Sequence, residues 1–503
     1  MSNSRVLPTI NSYGDLKSFN KDLIASNKNL PELNLEGADF NKNLIKVNGE
    51  AHFVDEFLYN YVVNKTGILT GKVAGLSRYD FTRLNYLLHP EGFKGQFVDY
   101  INNLILMGLT ECSLWDFTIC KESNDIILKK CNNKKAIGVF IPAFITKIGA
   151  NAFNNQNINK VIIEEDSGLK IIETGAFNGC KKLTKINLQE GLVYIGSEAF
   201  KDTQLKEIII PSSVNILDKS AFNGCIELEK VVIKSNSQLN HIGDTTFENC
   251  VSLRAISLPS SLMYIGKGAF SCCREIKEIK IPDSVRTLKD YAFGGCKKLE
   301  KAVLGRKIKR INKALFTGCK SLKEFIPLGN IDKIDFMAFG GCGLTEIVIP
   351  SSVKEIGLSA FLRCAKLKRV HFNKNSMLET MRDSVFHGCT ALEKINLPSS
   401  LKVMGSGIFF ECTSLRDVEI PDSINEIGTS LFSNCSQLKS VTIGKGIKVI
   451  PSWTFKQCTS LRKVVLLGDI EEIAADALMD TNEEELKIYT PKHQSLPSES
   501  NYF

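Results

Sequence analysis

The residues of this chain that could carry chemistry are its 16 cysteines and six histidines. Twelve cysteines each lie three residues after a phenylalanine in a series of similar segments: Cys180, Cys225, Cys250, Cys273, Cys296, Cys319, Cys342, Cys364, Cys389, Cys412, Cys435 and Cys458. A zinc site needs clustered pairs at short spacing, which one cysteine per segment does not provide. Disulfides between neighbouring segments are conceivable by distance, but side chains in register point in parallel and not toward one another. We therefore predict free, buried thiols that pack as small hydrophobic groups.

No other motif favours catalysis. The histidines, His52, His89, His241, His371, His387 and His493, have no paired spacing for a metal. His387 precedes Cys389 by two residues, but other segments have Asn, Gly, Thr or Lys at that position. The stretch from Gly67 to Val73 has one residue too few between its glycines for a phosphate-binding loop, and no Ser or Thr follows Lys72. We expect no enzyme activity, no metal and no cofactor.

The cysteines are in register because the chain repeats itself from about residue 137. One aromatic residue marks each copy: Phe153, Phe177, Phe200, Phe222, Phe247, Phe270, Phe293, Phe316, Phe339, Phe361, Phe386, Phe409, Phe432 and Phe455. The markers are 22 to 25 residues apart, and Leu478 takes the position in a decayed fifteenth copy. A fixed period of this length is typical of a leucine-rich-repeat solenoid.

The consensus L-x-x-I-x-I-P-x-S-V-x-x-I-G-x-x-A-F-x-x-C predicts how each coil is built. In Glu207–Ile210 the side chains alternate, so we expect Ile208 and Ile210 to point inward. Proline follows where the strand ends, since it cannot donate to a ladder. The glycine of pairs such as Ile265-Gly266 is expected to permit a turn that other residues would strain. A single coil cannot bury enough apolar surface, so the array depends on stacking.

Copies such as LKEIIIPSSVNILDKSAFNGC (205–225) and LTEIVIPSSVKEIGLSAFLRC (344–364) resemble the BspA-type (Treponema pallidum-like) leucine-rich repeat family. The resemblance covers about 350 of the 503 residues. It implies a curved right-handed solenoid of 14–15 coils over residues 136–490, with a parallel sheet on its concave side and a polar tail over 491–503. Members of that family are often surface or secreted proteins associated with adhesion, which implies a protein-binding surface antigen.

The outward strand positions form the candidate binding face. One row alternates in charge, which argues against a nucleic-acid track. The other contains an apolar strip with a charged rim, and the candidate binding residues are Val303, Glu324, Ile326, Glu346, Val348, Arg369 and His371. Such a strip is typical of a protein-binding patch. The alternative, that β-branched residues simply suit strands, stays open.

Residues 1–135 contain no copy of the repeat. Helical spacing over AHFVDEFLYNYVVNK (51–65), with Phe53, Phe57, Leu58 and Val62 on one side, predicts a first helix, and DFTRLNYLL (80–88) and GQFVDYINNLILMGL (95–109) predict two more. The segments ECSLWDFTIC and DIILKKC predict two strands joined by KESN. This order resembles a winged helix, but 16 basic against 15 acidic residues give no electrostatic footprint for DNA. We predict an overall α+β fold, with a mainly helical module that docks a protein or caps the solenoid.

Amino-acid composition and net charge exclude some classes of function. With 43% hydrophobic residues, 23% charged residues and a net charge of +8, the chain is neither disordered nor a dedicated nucleic-acid binder. We find no secretory leader and no apolar run of about 18 residues, so we expect no membrane insertion and a cytoplasmic location by default, with non-classical surface display as the alternative. The favoured hypothesis is a noncatalytic recognition protein, adhesin-like, that binds a protein partner on its concave face. The alternatives are an intracellular scaffold or effector whose N-terminal module docks a partner and, ranked last, a winged-helix nucleic-acid binder.

Overall fold

The computed structural model describes residues 44–47, 50–53, 117–123, 125–141, 145–163, 166–490 and 493–496. They fall into two compact units: unit 1 extends to Leu228 and includes Lys234–Gln238, and unit 2 comprises Glu229–Ile233 and the residues from Leu239 onward. Within these residues the regular structure is β-strand, apart from one 3-10 helix at Glu483–Glu485. The described part of the chain is therefore a β-solenoid, and the α component of the predicted α+β fold has no support in it.

Each coil has two strands, a first strand at the consensus L-x-x-I-x-I and a two-residue second strand before the marker phenylalanine. In unit 1 the first strands are Gly138–Ile141, Lys160–Ile163, Lys185–Ile186 and Glu207–Ile210, and the second strands are Lys147–Ile148, Ile171–Ile172, Tyr194–Ile195 and Ile216–Leu217. Neighbouring coils pair in parallel, as Gly138–Ile141 does with Lys160–Ile163 and Tyr194–Ile195 with Ile216–Leu217. The predicted alternation is present: Glu207 and Ile209 are exposed, whereas Ile208 and Ile210 are buried.

Unit 2 repeats this arrangement. Its first strands are Lys230–Ile233, Ala255–Ile256, Glu278–Lys280, Lys301–Leu304, Glu324–Pro327, Glu346–Ile349, Arg369–Phe372, Lys394–Ile395, Asp417–Ile420, Ser440–Ile443, Lys463–Leu466 and Lys487–Thr490. Its second strands are His241–Ile242, Tyr264–Ile265, Thr287–Leu288, Arg310–Ile311, Lys333–Ile334, Glu355–Ile356, Thr380–Met381, Val403–Met404, Glu426–Ile427, Val449–Ile450 and Glu472–Ile473. Adjacent coils pair in parallel, but the ladder of first strands is interrupted after Ala255–Ile256 and again after Glu324–Pro327.

The core is a column of the marker phenylalanines. In unit 1 the rings from Phe153 to Phe222 stack with centroids 4.9–5.3 Å apart. In unit 2 the rings from Phe247 to Phe455 stack at 5.2–5.9 Å. Every ring is 2% exposed or less. Each ring buries both faces against its neighbours, which a single coil could not do.

The repeated cysteines also form hydrogen bonds between neighbouring coils. From Cys273 to Cys458 in unit 2, each Sγ–H donates to the carbonyl oxygen of the marker phenylalanine in the preceding coil, at 3.0–3.2 Å. Cys180 and Cys225 make the same bond in unit 1. The carbonyl also accepts the backbone N–H of its own coil, as Phe293 does from Cys296, so both of its lone pairs are used. The prediction of free, buried cysteines agrees with these contacts.

The expected role of the glycine after the second strand is wrong. Gly196 and Gly266 do not have positive φ. They are required because two coils approach closely there: a Cβ on Gly266 would lie 2.4 Å from the backbone nitrogen of Asp244. Glycines with left-handed φ lie at other positions of the coil, for example directly before the cysteine at Gly295, with φ of 73°.

The predicted hairpin before the solenoid is confirmed as Phe117–Glu122 paired antiparallel with Asp125–Cys131. Its second strand, Asp125–Cys131, also pairs in parallel with Lys147–Ile148. The Phe117 ring meets Phe153 edge-on at 6.1 Å, which covers the first ring of the column. The hairpin therefore covers the first coil of unit 1, and the predicted role of the whole N-terminal module stays a prediction.

The three predicted N-terminal helices have a different outcome. Residues 51–53 of the first, including Phe53, lie in the strand Glu50–Phe53, which pairs with Leu44–Val47. The intervening sequence is Asn48-Gly49, the dipeptide most typical of two-residue hairpin turns, and this local signal outweighs the helical spacing. The remainder of that helix and the other two lie outside the described residues. The predicted boundary at residue 135 and the tail from 491 stay predictions.

The decayed last copy offers a test of the column. Leu478 replaces the marker phenylalanine and lines a small apolar cavity with Phe455, Val464 and Ile488. We expect Leu478→Phe to extend the ring stack and raise the free energy of unfolding by about 0.5–2 kcal/mol, read as a higher midpoint in urea. Leu467→Phe, at a 38% exposed position of the same coil, is the matched control and should leave the midpoint unchanged. Equal effects of the two changes would contradict the cavity-filling explanation.

Candidate functional site

The candidate binding face lies on the outward side of four consecutive first strands in unit 2, from Lys301–Leu304 to Arg369–Phe372. All seven predicted binding residues are on this side: Val303 is half-buried, and Glu324, Ile326, Glu346, Val348, Arg369 and His371 are exposed. Ile326 is 36% exposed and Val348 54%. Parallel pairing places Val303 beside Ile326 and Val348 beside His371.

The charged rim is partly neutralised within the chain. Lys301 Nζ lies 2.7 Å from Glu324 Oε2, and this contact raises the pKa of Lys301. His371 Nε2 lies 3.9 Å from Glu346 Oε2. Arg369 is in register with Glu346 but forms no ion pair with any residue that the structure describes. Its guanidinium is therefore available to a carboxylate of a partner.

The structure does not bring the seven residues into one sheet. Val303, Glu324 and Ile326 belong to a three-stranded sheet, whereas Glu346, Val348, Arg369 and His371 belong to the sheet that begins with Glu346–Ile349. The interruption falls between Ile326 and Val348, the two most exposed apolar side chains of the predicted strip. Spacing in the sequence could not show this, because the repeat itself continues through the interruption.

Leu328 was not among the predicted binding residues. It is 47% exposed and lies two residues after Ile326, directly after the strand Glu324–Pro327. The signal was the displaced proline: in this copy Pro327 comes one position earlier than in the consensus, so an apolar residue, Leu328, stands where the proline is usual. We call Val303, Ile326, Leu328 and Val348 the apolar patch.

Among the described residues, the histidines and cysteines do not form a catalytic group. Cys389 is buried and its Sγ–H is bonded to the carbonyl of Phe361 at 3.2 Å, whereas the His387 ring contacts Phe410 and Glu411. The described residues contain no cluster of His, Cys, Asp and Glu that could hold a metal ion. Among the same residues, no helix is long and apolar enough to span a bilayer. The chemistry this face can perform is recognition by apolar contact and charge pairing.

Comparison with known proteins agrees with this fold. A leucine-rich repeat protein from Bacteroides ovatus, known from a crystal structure, is 24% identical, with a TM-score of 0.50 over 75% of this chain and 98% of that one. The pneumococcal vaccine antigen PcpA is 20% identical, with a TM-score of 0.41 over 74% and 91% of the two chains. A leucine-rich repeat protein of T. pallidum is 21% identical, with a TM-score of 0.24 over 56% and 91%. The similarity to the Bacteroides ovatus protein supports the fold alone. No curated protein sequence matches the chain significantly.

The sequence itself matches a family model. Residues 146–244, 240–368 and 379–500 match the BspA type leucine rich repeat region, in six copies of the model. These ranges cover most of the coils described above, including the four strands that carry the candidate face. The chain therefore belongs to the BspA-type leucine-rich repeat family.

Proposed function

We propose that this chain is a noncatalytic recognition protein that binds a protein partner through the apolar patch of unit 2. The observation that carries the proposal is the exposure of Ile326, Leu328 and Val348 at 36%, 47% and 54% on two consecutive coils. Elsewhere on the first strands the corresponding outward residues are mostly polar, for example Lys280, Asn396 and Glu419. An apolar surface of this kind, surrounded by charges, favours a partner that removes it from water.

The charges at the rim of the apolar patch restrict the kind of partner that it can bind. Because Lys301 already pairs with Glu324, the open charge beside the patch is Arg369. We expect the partner to place an apolar side chain over Ile326 and Val348 and a carboxylate near Arg369, since a guanidinium accommodates a carboxylate with two parallel hydrogen bonds.

The first test is the change Ile326→Glu, which places a charge at the centre of the patch. We expect it to weaken partner binding at least ten-fold, because a desolvated unpaired carboxylate costs more than about 1.4 kcal/mol. The thermal transition should hardly move, since the side chain is exposed. The measurement is capture of binding partners by immobilised full-length protein, followed by titration of the partner that is recovered.

Unit 1 provides the matched control. Ile209 occupies the same outward position of its own first strand and is 45% exposed. Ile209→Glu adds the same charge to the same kind of site outside the patch, so binding should remain at the wild-type level. Wild-type binding by Ile326→Glu, or equal losses in the two variants, would show that the apolar patch is not the interface.

The finer proposal is that the partner lies on another cell or in a host, as an adhesin-like role requires. It is supported by membership of a family whose members are often surface proteins. Antibody labelling of native cells before and after permeabilisation tests it, and we expect label on intact cells. Label that appears only after permeabilisation would favour an intracellular scaffold instead and would leave protein binding through the patch standing.

A further inference from the structure

At one junction between neighbouring coils of unit 2, which we call the rung, the second strands pair but the first strands do not. Lys301–Leu304 pairs in register with Glu324–Pro327, and Glu346–Ile349 pairs with Arg369–Phe372. Within the described residues, no strand pairing joins Glu324–Pro327 to Glu346–Ile349. Edges that are not hydrogen-bonded separate at lower free-energy cost than paired strands do.

Proline accounts for part of the missing pairing. Pro327 occupies the position that Ile281 holds in an earlier coil, where the Ile281 N–H donates to the Val303 carbonyl of the following coil at 2.8 Å. Because proline has no N–H, the equivalent bond to Val348 cannot form. At the other interruption of this ladder Leu258 stands at the same position and keeps its donor. The interruption after Pro327 therefore includes one bond that the covalent structure of the chain excludes.

A shortened turn also contributes to the missing pairing of the first strands. The coil that begins after Cys342 lacks one residue, and the chain takes a path so close that a Cβ on Gly343 would lie 2.1 Å from the Lys320 carbonyl oxygen. In the next coil the Lys368 N–H donates to the Thr345 carbonyl at 2.8 Å. In the part of the chain that is described, the Thr345 N–H has no corresponding bond to Lys323.

The opposite side of the same rung is fully joined. The second strands pair Ile334 with Ile356, and the Phe339 N–H donates to the Ala360 carbonyl at 2.8 Å. The Phe316 and Phe339 rings stack at 5.7 Å. Opening at this rung is therefore confined to the side of the first strands.

We propose that this rung is a hinge: the first strands Glu324–Pro327 and Glu346–Ile349 separate and close while the second strands and the phenylalanine column stay joined. The hinge lies between Ile326 and Val348, so its opening changes the spacing of the two halves of the apolar patch. The inference rests on the backbone alone and does not depend on what the patch binds.

Hydrogen exchange of the full-length protein tests the hinge. The amides of Glu346 and Val348 should exchange roughly ten-fold or more faster than those of Arg369 and His371, which hold the same positions one coil later. Pro327→Ile restores the donor and should slow the exchange of Glu346 and Val348 toward that of their counterparts. Pro350→Ala, which changes a turn proline outside the rung, is the matched control and should leave the rates unchanged.

Two outcomes would overturn the proposal. One is equal protection of the two coils in the wild-type protein. The other concerns Phe325, whose ring contacts both Phe316 and Phe339 edge-on and could keep the strands apart on its own. The double variant Phe325→Ile, Pro327→Ile removes both obstacles, and a folded double variant that still exchanges Glu346 and Val348 at the wild-type rate would exclude a hinge set by these residues.

Discussion

Replacing Phe316 with alanine lowers the free energy of unfolding by about 3–5 kcal/mol. The ring is fully buried between Phe293 and Phe339, at centroid distances of 5.8 and 5.7 Å, and Phe325 contacts it edge-on at 5.9 Å. The backbone on both sides is held by strand pairing, so the neighbouring coils cannot collapse into the space. The measurement is equilibrium unfolding in urea followed by circular dichroism.

Phe336→Ala is the control for this change. Phe336 is half-buried, lies outside the column, and contacts the Lys313 ammonium at 5.1 Å from the ring centre. Its truncation removes a similar ring but leaves no enclosed cavity, so we expect a loss of about 1 kcal/mol or less. If Phe336→Ala is as destabilising as Phe316→Ala, burial within the column is not what makes the marker phenylalanine important.

The column shows what the sequence could predict. The regular spacing of the phenylalanines and cysteines places them in one register, and side-chain alternation assigns Ile208 and Ile210 to the interior. These are local rules that each copy repeats, so every copy adds support. The family assignment follows from the same residues.

What the sequence did not predict depends on single departures from the repeat. Thr203 stands at a cysteine position, but its hydroxyl donates to the carbonyl of Phe200 in its own coil at 2.9 Å, whereas the thiols donate to the preceding coil. Pro327 is displaced by one residue, which exposes Leu328 and interrupts the ladder. The role of Gly266 became clear only from the distance to the neighbouring coil. Contacts between coils are long-range, and a consensus averages such departures away.

The thiols of the cysteine column should be almost inert in the folded protein. Burial raises the pKa of Cys180, Cys225 and Cys458 to about 12, and it raises the pKa of Cys319 as well. Against a reference pKa of 9.0, a pKa of about 12 lowers the thiolate fraction roughly a thousand-fold near pH 8. We expect iodoacetamide at pH 8 to leave these thiols unmodified in the native state and to modify them fully in urea, as read by peptide mass spectrometry.

Cys272 provides the internal control for this labelling. It is half-exposed and next to the buried Cys273 in the sequence. A partly exposed thiol and a buried thiol can therefore be compared within one peptide. We expect Cys272 to be alkylated in the native protein while Cys273 is protected. Equal modification of the two residues would mean that the column opens to solvent under native conditions.

The pH dependence of stability follows from the same shifts. A thiol whose pKa is raised by folding stabilises the native state fully below its unfolded pKa of 9.0, and this contribution is lost as the pH rises toward the folded value. Each column thiol lowers the free energy of unfolding by up to about 1.4 kcal/mol per pH unit above 9, so we expect steep alkaline unfolding. A disulfide would remove the S–H that donates to the preceding phenylalanine carbonyl, so we expect the thiols of the column to be reduced. Native peptides cross-linked through Cys319 or its neighbours, or a protein equally stable at pH 8 and 11, would contradict this account.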